Sequence, residues 1–268
     1  MTLTEKGHTN MNSADLIQSE ISGGIFTLSI NRPDKKNALN LAMYQALAEG
    51  LKEADSDDAV RVIMIRGSAE CFTSGNDLAD FLSAPQTGPE SPVMQFLATI
   101  SAARKPIVAA VNGLAVGVGV TMLLHCDLVY VGESATFQMP FVNLGLCPEA
   151  GSTLLLPRIM GHQRAAELLL LGGVFNADKA CSYGIVTEVC PDGDVVATAR
   201  NRAQQLAAQP AAAVRLAKDL LKRDYAPQVR ETISEEGKQF IARLKSPEAA
   251  EALQAFMQRR KPDFSQFS

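Results

Sequence analysis

The chain has 268 residues, 47% of them hydrophobic, 20% charged and 6% aromatic, a composition that fits an ordinary globular protein and excludes a low-complexity chain. Lys plus Arg total 25 against 29 Asp plus Glu, a formal charge of -4, so no global positive field is present to hold nucleic acid or an anionic membrane. A chain of this length buries about three quarters of its unfolded surface, enough for one large domain or a domain with an appendage.

Residues 1–19 read as a flexible N-terminal segment without a secretory or mitochondrial pattern, and the end, Ser265-Gln266-Phe267-Ser268, is not a peroxisomal address. Residues 20–196 read as the core. Within it, 25–30 and 60–65 are short β-branched strands that flank a helical face of Leu39, Met43, Ala46, Leu47, Gly50 and Leu51. The order then repeats as a strand at 107–111, a helix over about 117–125, a strand at 128–131, a brief strand at 135–137, a helix from about 151 and a last strand at 185–189. Such recurring β-then-α units imply an α/β layered or spiral core. No charge falls between Lys105 and Asp127, but the Asn112-Gly113 turn, Gly117 and Gly119 divide that run into a buried strand, a turn and a buried helix, so no membrane insertion is expected. Residues 197–268 read as a helical region, with Pro210, Pro227 and Pro247 at the first turns of successive helices.

Five cysteines, Cys71, Cys126, Cys147, Cys181 and Cys190, lack a C-x-x-C pair and predict reduced thiols in a reducing, cytoplasmic setting. His8, His125 and His162 are widely spaced, and no metal site is expected.

Three segments carry candidate chemistry. Cys71 to Leu78 is a strand-to-helix turn in which Gly75-Asn76 reverses the chain and Asp77 reads most simply as a helix cap. Asn112 to Thr121 runs from a turn into a helix whose first N–H groups have no intrahelical acceptor, with Gly117 and Gly119 admitting a ligand or another backbone. A third Gly and a phosphate-binding Lys are absent, so this is not a nucleotide fingerprint. Leu144 to Thr153 holds Glu149, the only charge between Glu133 and Arg158. Pro148 and Glu149 read either as the first turn of a helix, with the carboxylate on its dipole, or as a desolvated general base with a raised pKa.

In order and separation these segments resemble the crotonase, or enoyl-CoA hydratase/isomerase, superfamily. The resemblance extends through Asn31-Arg32-Pro33-Asp34-Lys35-Lys36-Asn37-Ala38-Leu39, similar to a CoA-contacting turn, through Lys105 to Gly113, and to the basic segment Phe256 to Phe264. It implies a crotonase-like spiral of β-β-α turns followed by a C-terminal helical trimerisation region, hence a homotrimer or hexamer, with an acyl-CoA thioester as substrate. No permanently bound cofactor is implied; coenzyme A enters as part of the substrate. The backbone N–H groups of Ser74 and Val118 are implied to form an oxyanion hole. CoA contacts are implied at Arg32, Lys36, Ala38, Leu39, Asp77, Leu78, Arg259 and Lys261.

The two glutamates of family hydratases fall on Thr121 and Phe141 here, and neither side chain supplies a carboxylate's basicity. Leu146 to Ser152 instead resembles the segment in which Δ3,Δ2-enoyl-CoA isomerases of the peroxisomal type hold a single catalytic Glu, here Glu149. One such group removes a C2 proton and returns a proton at C4 of the dienolate. Thr121, Phe141 and Cys147 are then expected to line the acyl pocket. Hydration or another enolate reaction on an atypical acyl-CoA, and a non-catalytic acyl-CoA-binding module, are the alternative readings.

Overall fold

The computed structural model describes residues 16–77, 88 and 90–267. Strand β1 (Ile17–Ser22) pairs antiparallel with β2 (Ile25–Ile30) across the Gly23-Gly24 turn. Beyond β2 every neighbour in the main sheet is parallel, in the order β1-β2-β3-β5-β7-β10, where β3 is Val62–Arg66, β5 Ile107–Val111, β7 Leu128–Gly132 and β10 Glu188–Cys190. A second sheet runs β4 (Cys71–Thr73), β6 (Leu114–Val116), β8 (Thr136–Gln138) and β9 (Phe175–Asn176). Three successive turns of chain therefore each place one strand in the large sheet and the next in the small one. This is the spiral of strand pairs that the sequence led us to expect.

The near-continuous apolar runs of β3, β5 and β7 arise because both faces of the sheet are covered there. Ile63, Ile65, Ile107, Ala109, Val111, Val129 and Val131 point into the larger core. Their alternates Val62, Met64, Val108, Ala110 and Tyr130 meet Val195, Ala199, Ala203 and Ala207 of a helix on the opposite face. Alanines four residues apart on that helix let it lie close against the sheet.

Ten helices are present among the described residues. Helix α1 (Leu41–Ser56), capped by Asn40, packs against α2 (Pro92–Ala102), capped by Ser91. Short α3 (Val118–Thr121) continues into a 3-10 turn at Met122–His125. Next come α4 (Ser152–Met160), α5 (His162–Leu171) and α6 (Ala177–Ser182). The chain ends in α7 (Val195–Ala207), α8 (Ala211–Lys222), α9 (Ala226–Leu244) and α10 (Pro247–Met257). No helix among the described residues is long and apolar enough to cross a membrane.

Several expectations shift. The flexible segment expected through residue 19 overlaps β1, which begins at Ile17 and was hidden by a largely exposed, polar sequence. The last strand is Glu188–Cys190 rather than 185–189. The boundary expected at 196/197 falls inside α7, which packs on the main sheet and so belongs with the core. Helix α8 is tied back by Lys218, whose Nζ donates to Asp127 Oδ2 and to the Lys105 carbonyl, both at 2.7 Å. Asp127 also accepts from the Ile107 amide at 2.7 Å, which makes it a structural residue.

Candidate active site

Glu149 lies in an irregular loop ahead of α4, not in the first turn of a helix begun by Pro148. Ala150 (φ 62) and Gly151 (φ 73) are both left-handed, and the helix starts only at Ser152. For Ala150 that conformation costs about 1–2 kcal/mol, so the turn persists only because its surroundings hold it. His125 supplies part of that hold. Burial pushes the His125 pKa down to about 4, so the ring is neutral at physiological pH and its Nε2–H donates to the Ala150 carbonyl at 2.7 Å. Glu236 of α9 accepts from the Gly151 amide at 2.6 Å, the Thr153 amide at 3.0 Å and the Thr153 hydroxyl at 2.6 Å.

The Glu149 side chain is 5% exposed, and its Oε1 accepts from the Thr121 hydroxyl at 3.2 Å. Burial raises its pKa from an ordinary 4.5 to about 7; the Thr121 hydrogen bond pulls the other way and the charge of Glu236 adds to the rise. Of the two readings the sequence left open, desolvation wins. Glu149 and Ala150 line a cleft of ≈ 450 Å³. Its walls are Val93, Met94 and Leu97 of α2 and Ile233, Phe240 and Leu244 of α9.

Two backbone amides in the adjoining turns, those of Asn76 and Val118, have no acceptor among the described residues. Leu39 pairs in parallel with Asn76: its N–H donates to Gly75 O at 2.8 Å and its carbonyl accepts from Asp77 N at 2.9 Å. In that register Leu39 spends its own groups on the residues flanking Asn76, so the Asn76 N–H faces away from Leu39. Val118 opens α3, where no intrahelical acceptor exists for its N–H. Among the described residues neither amide has a hydrogen-bond acceptor. Gly75 (φ 88) brings the two turns together, because a Cβ there would stand 2.8 Å from the Val116 carbonyl oxygen. Asn76 is held in place by Tyr44 of α1, whose hydroxyl donates to Asn76 Oδ1. Tyr44 is fully buried, and burial, followed by the charge of Glu149, raises its pKa well above the ordinary value, so it remains a donor.

These contacts correct the expected oxyanion pair. The Ser74 N–H already donates to the Lys36 carbonyl at 3.0 Å and is not open to a ligand; the amide left open in that turn is Asn76, two residues on. The Val118 N–H, by contrast, has no acceptor among the described residues. Of the expected acyl-pocket residues, Thr121 is buried against Glu149, whereas Phe141 is packed in the core and Cys147 faces the Glu236 backbone carbonyl at 3.7 Å. Burial, then the charge of Glu236, pushes the Cys147 thiol up to about 11, so it is no thiolate nucleophile. The cleft walls from α2 and α9 escaped the sequence reading.

Of the expected CoA contacts, Arg32 donates through Nη1 to Asp77 Oδ2 at 2.7 Å and to the Ala38 carbonyl at 3.0 Å, so Arg32, Ala38 and Asp77 brace one turn. Leu39 is buried in the core and aligns Asn76. Lys36 is exposed on this turn, and Arg259 and Lys261 are exposed just beyond α10. Arg260, between them, is bound by Glu251 at 2.5 and 2.8 Å. Leu78, and the helix expected after Asp77, lie outside the described residues.

Residues 20–267 match the family model described as enoyl-CoA hydratase/isomerase. The chain is 37% identical to Enoyl-CoA delta isomerase 2 of Rattus norvegicus over 91% of its own length, and spans 63% of that protein. It is 34% identical to 1,2-epoxyphenylacetyl-CoA isomerase of Escherichia coli, covering 94% of this chain and 98% of that one. To 2,3-dehydroadipyl-CoA hydratase of the same organism the identity is 32%, covering 90% and 94%. Among solved structures, Pseudomonas aeruginosa OdaA superposes with a TM-score of 0.90 at 50% identity, covering 91% of this chain and all of that one. With the spiral fold and the match over nearly its whole length, this chain belongs to the enoyl-CoA hydratase/isomerase, or crotonase, family.

Proposed function

We propose that this protein is a Δ3,Δ2-enoyl-CoA isomerase with Glu149 as its single acid/base. One observation carries the reading: a buried carboxylate with a pKa of about 7 lines an apolar cleft and is hydrogen-bonded by Thr121 of the short helix that the unengaged Val118 amide opens, while Tyr44, which feels its charge, holds Asn76, whose amide is also unengaged. A 3-enoyl-CoA chain enters the cleft between α2 and α9, and its thioester oxygen accepts from the Asn76 and Val118 N–H groups. Ionised Glu149 takes a proton from C2; the electron pair flows into a dienolate whose oxygen anion is held by the two amides. Protonated Glu149 then delivers a proton to C4, the double bond comes to rest between C2 and C3, and the carboxylate is restored. A carboxyl group titrating near the working pH suits both halves of that cycle. Each amide aimed at the developing oxyanion is worth about 3 kcal/mol. Thr121 donates to the carboxylate and orients it, and the apolar walls favour proton transfer over attack by water.

Exposed Lys36, Arg259 and Lys261 are the proposed partners of the CoA phosphates, with Arg32 and Asp77 bracing the turn that presents Lys36. No resident cofactor is needed. The exposed face of α8, with Leu216, Leu220 and Leu221, supports assembly into a homotrimer or hexamer. Five free cysteines fit a cytoplasmic location.

A kinetic screen of 2-enoyl- and 3-enoyl-CoA esters of varied length, run on the wild type and on Glu149→Gln, tests the reading. Isomerisation of 3-enoyl esters that the variant loses supports it. Hydration of 2-enoyl esters far faster than isomerisation, or a fully active variant, overturns it.

A further inference from the structure

The proposed mechanism leaves one buried carboxylate unused. Glu236 is 7% exposed, and it stands on the same helix whose Ile233, Gly237 and Phe240 wall the cleft. Its two oxygens take three hydrogen bonds, all donated by Gly151 and Thr153, the residues that begin α4 immediately after Glu149. Gly151 has no side chain with which to cap that helix, so the cap is supplied from α9, where a negative group is favourable to the helix N-terminus. The strained turn at Ala150 is thus gripped on one side by His125 and on the other by Glu236.

We propose that Glu236 is the positioning residue of this site, fastening the turn that carries Glu149 to the helix that walls the acyl cleft, so that one element sets both the acid and the substrate. The inference rests on Glu149 being the proton carrier. It has an electrostatic consequence. The groups that bear on Glu149 are Tyr44 from α1, the Thr121 hydroxyl from α3, Cys147 from its own loop and Glu236 from α9, with neutral His125 on the adjoining Ala150 carbonyl and Arg243 of α9 beside Cys147. Among these Glu236 is the carboxylate, and its charge resists ionisation of Glu149.

The test uses the full-length protein with Glu236→Gln, Glu236→Asp and Thr153→Val. Loosening the turn by a fraction of an ångström is expected to lower kcat on the best 3-enoyl-CoA about tenfold or more in Glu236→Gln, with KM within about twofold. The acid limb of its rate profile should move to lower pH, because a like charge has been removed. Glu236→Asp keeps the charge but shortens the reach, so kcat falls while the limb stays. Should Glu236→Gln fail to fold, Thr153→Val, which removes a single donor, carries the test, with a lowered kcat and an unmoved limb expected. Carboxyl-carbon NMR titration of Glu149 in wild type and Glu236→Gln reads the charge effect whatever reaction the site performs. A wild type inactive on every 3-enoyl ester therefore defeats the isomerase reading, while this inference is still decided by kcat of the variants on whichever acyl-CoA ester the wild type turns over, read together with the titration. Glu236→Gln with wild-type kcat and an unmoved Glu149 titration overturns it, as does a Thr153→Val variant, used in its place, with undiminished kcat.

Discussion

Replacing Glu149 by Gln should stabilise the protein at alkaline pH while abolishing its chemistry. The carboxyl titrates at about 7 in the folded chain, against an ordinary 4.5, because it is 5% exposed. A folded-state pKa above the unfolded one means that the native state binds the proton more tightly. The neutral acid is therefore tolerated below pH 4.5, and stability is lost progressively as pH rises towards and through 7. At 1.36 kcal/mol per tenfold change in proton affinity the full penalty is about 3 kcal/mol, most of which falls between pH 5 and pH 8. Gln is nearly isosteric, accepts from the Thr121 hydroxyl as the acid does, and carries no titration. Urea unfolding of both proteins at pH 5 and pH 8, at one fixed protein concentration, measures the difference of differences. The variant should gain about 2–3 kcal/mol on the wild type over that interval. An equal stability difference at the two pH values would refute the claim that Glu149 is a desolvated carboxyl.

Gly75→Ala places a Cβ 2.8 Å from the Val116 carbonyl oxygen at a φ of 88, so the Asn76 amide must move; kcat should fall at least about tenfold in steady-state assays, with KM changing less. Tyr44→Phe removes the donor to Asn76 Oδ1, and the same assay should show a drop in kcat of about threefold to tenfold with unchanged CoA binding by calorimetry. Paired Leu220→Glu and Leu221→Glu substitutions on the exposed face of α8 should shift the light-scattering mass of a trimer or hexamer to that of the 28.7 kDa protomer.

Much of the fold shows in the sequence for a physical reason. The strands at 25–30, 62–66, 107–111 and 128–132 are buried on both faces, and such strands are largely apolar, with Thr27 and Ser29 of the first the buried polar exceptions. The three-residue strands β4 and β6 have no such signature; they exist because neighbouring turns of the spiral bring them into register, and their sequences read as turns. Glu149 stood out as a lone charge in an apolar stretch, which is the mark of a residue the fold buries at a cost. The Ser74 and Asn76 amides were not separable in the same way. A sequence shows that a turn is present, whereas which N–H is consumed depends on Leu39 and Lys36, more than thirty residues earlier. Tyr44 and Glu236 carry ordinary helical spacing, and only the packing of α1 and α9 brings them to the site.

The central claim is that one carboxyl group carries a proton from C2 to C4 of a bound 3-enoyl thioester. It is tested most directly with a substrate deuterated at C2, turned over in ordinary water, with the C4 position of the 2-enoyl product read by mass spectrometry and NMR. Transfer of a measurable share of the deuterium to C4 by the wild type, together with no product from Glu149→Gln, is the predicted result. Product formed by the Glu149→Gln variant at the wild-type rate, or deuterium lost wholly to solvent in the wild type, would contradict it.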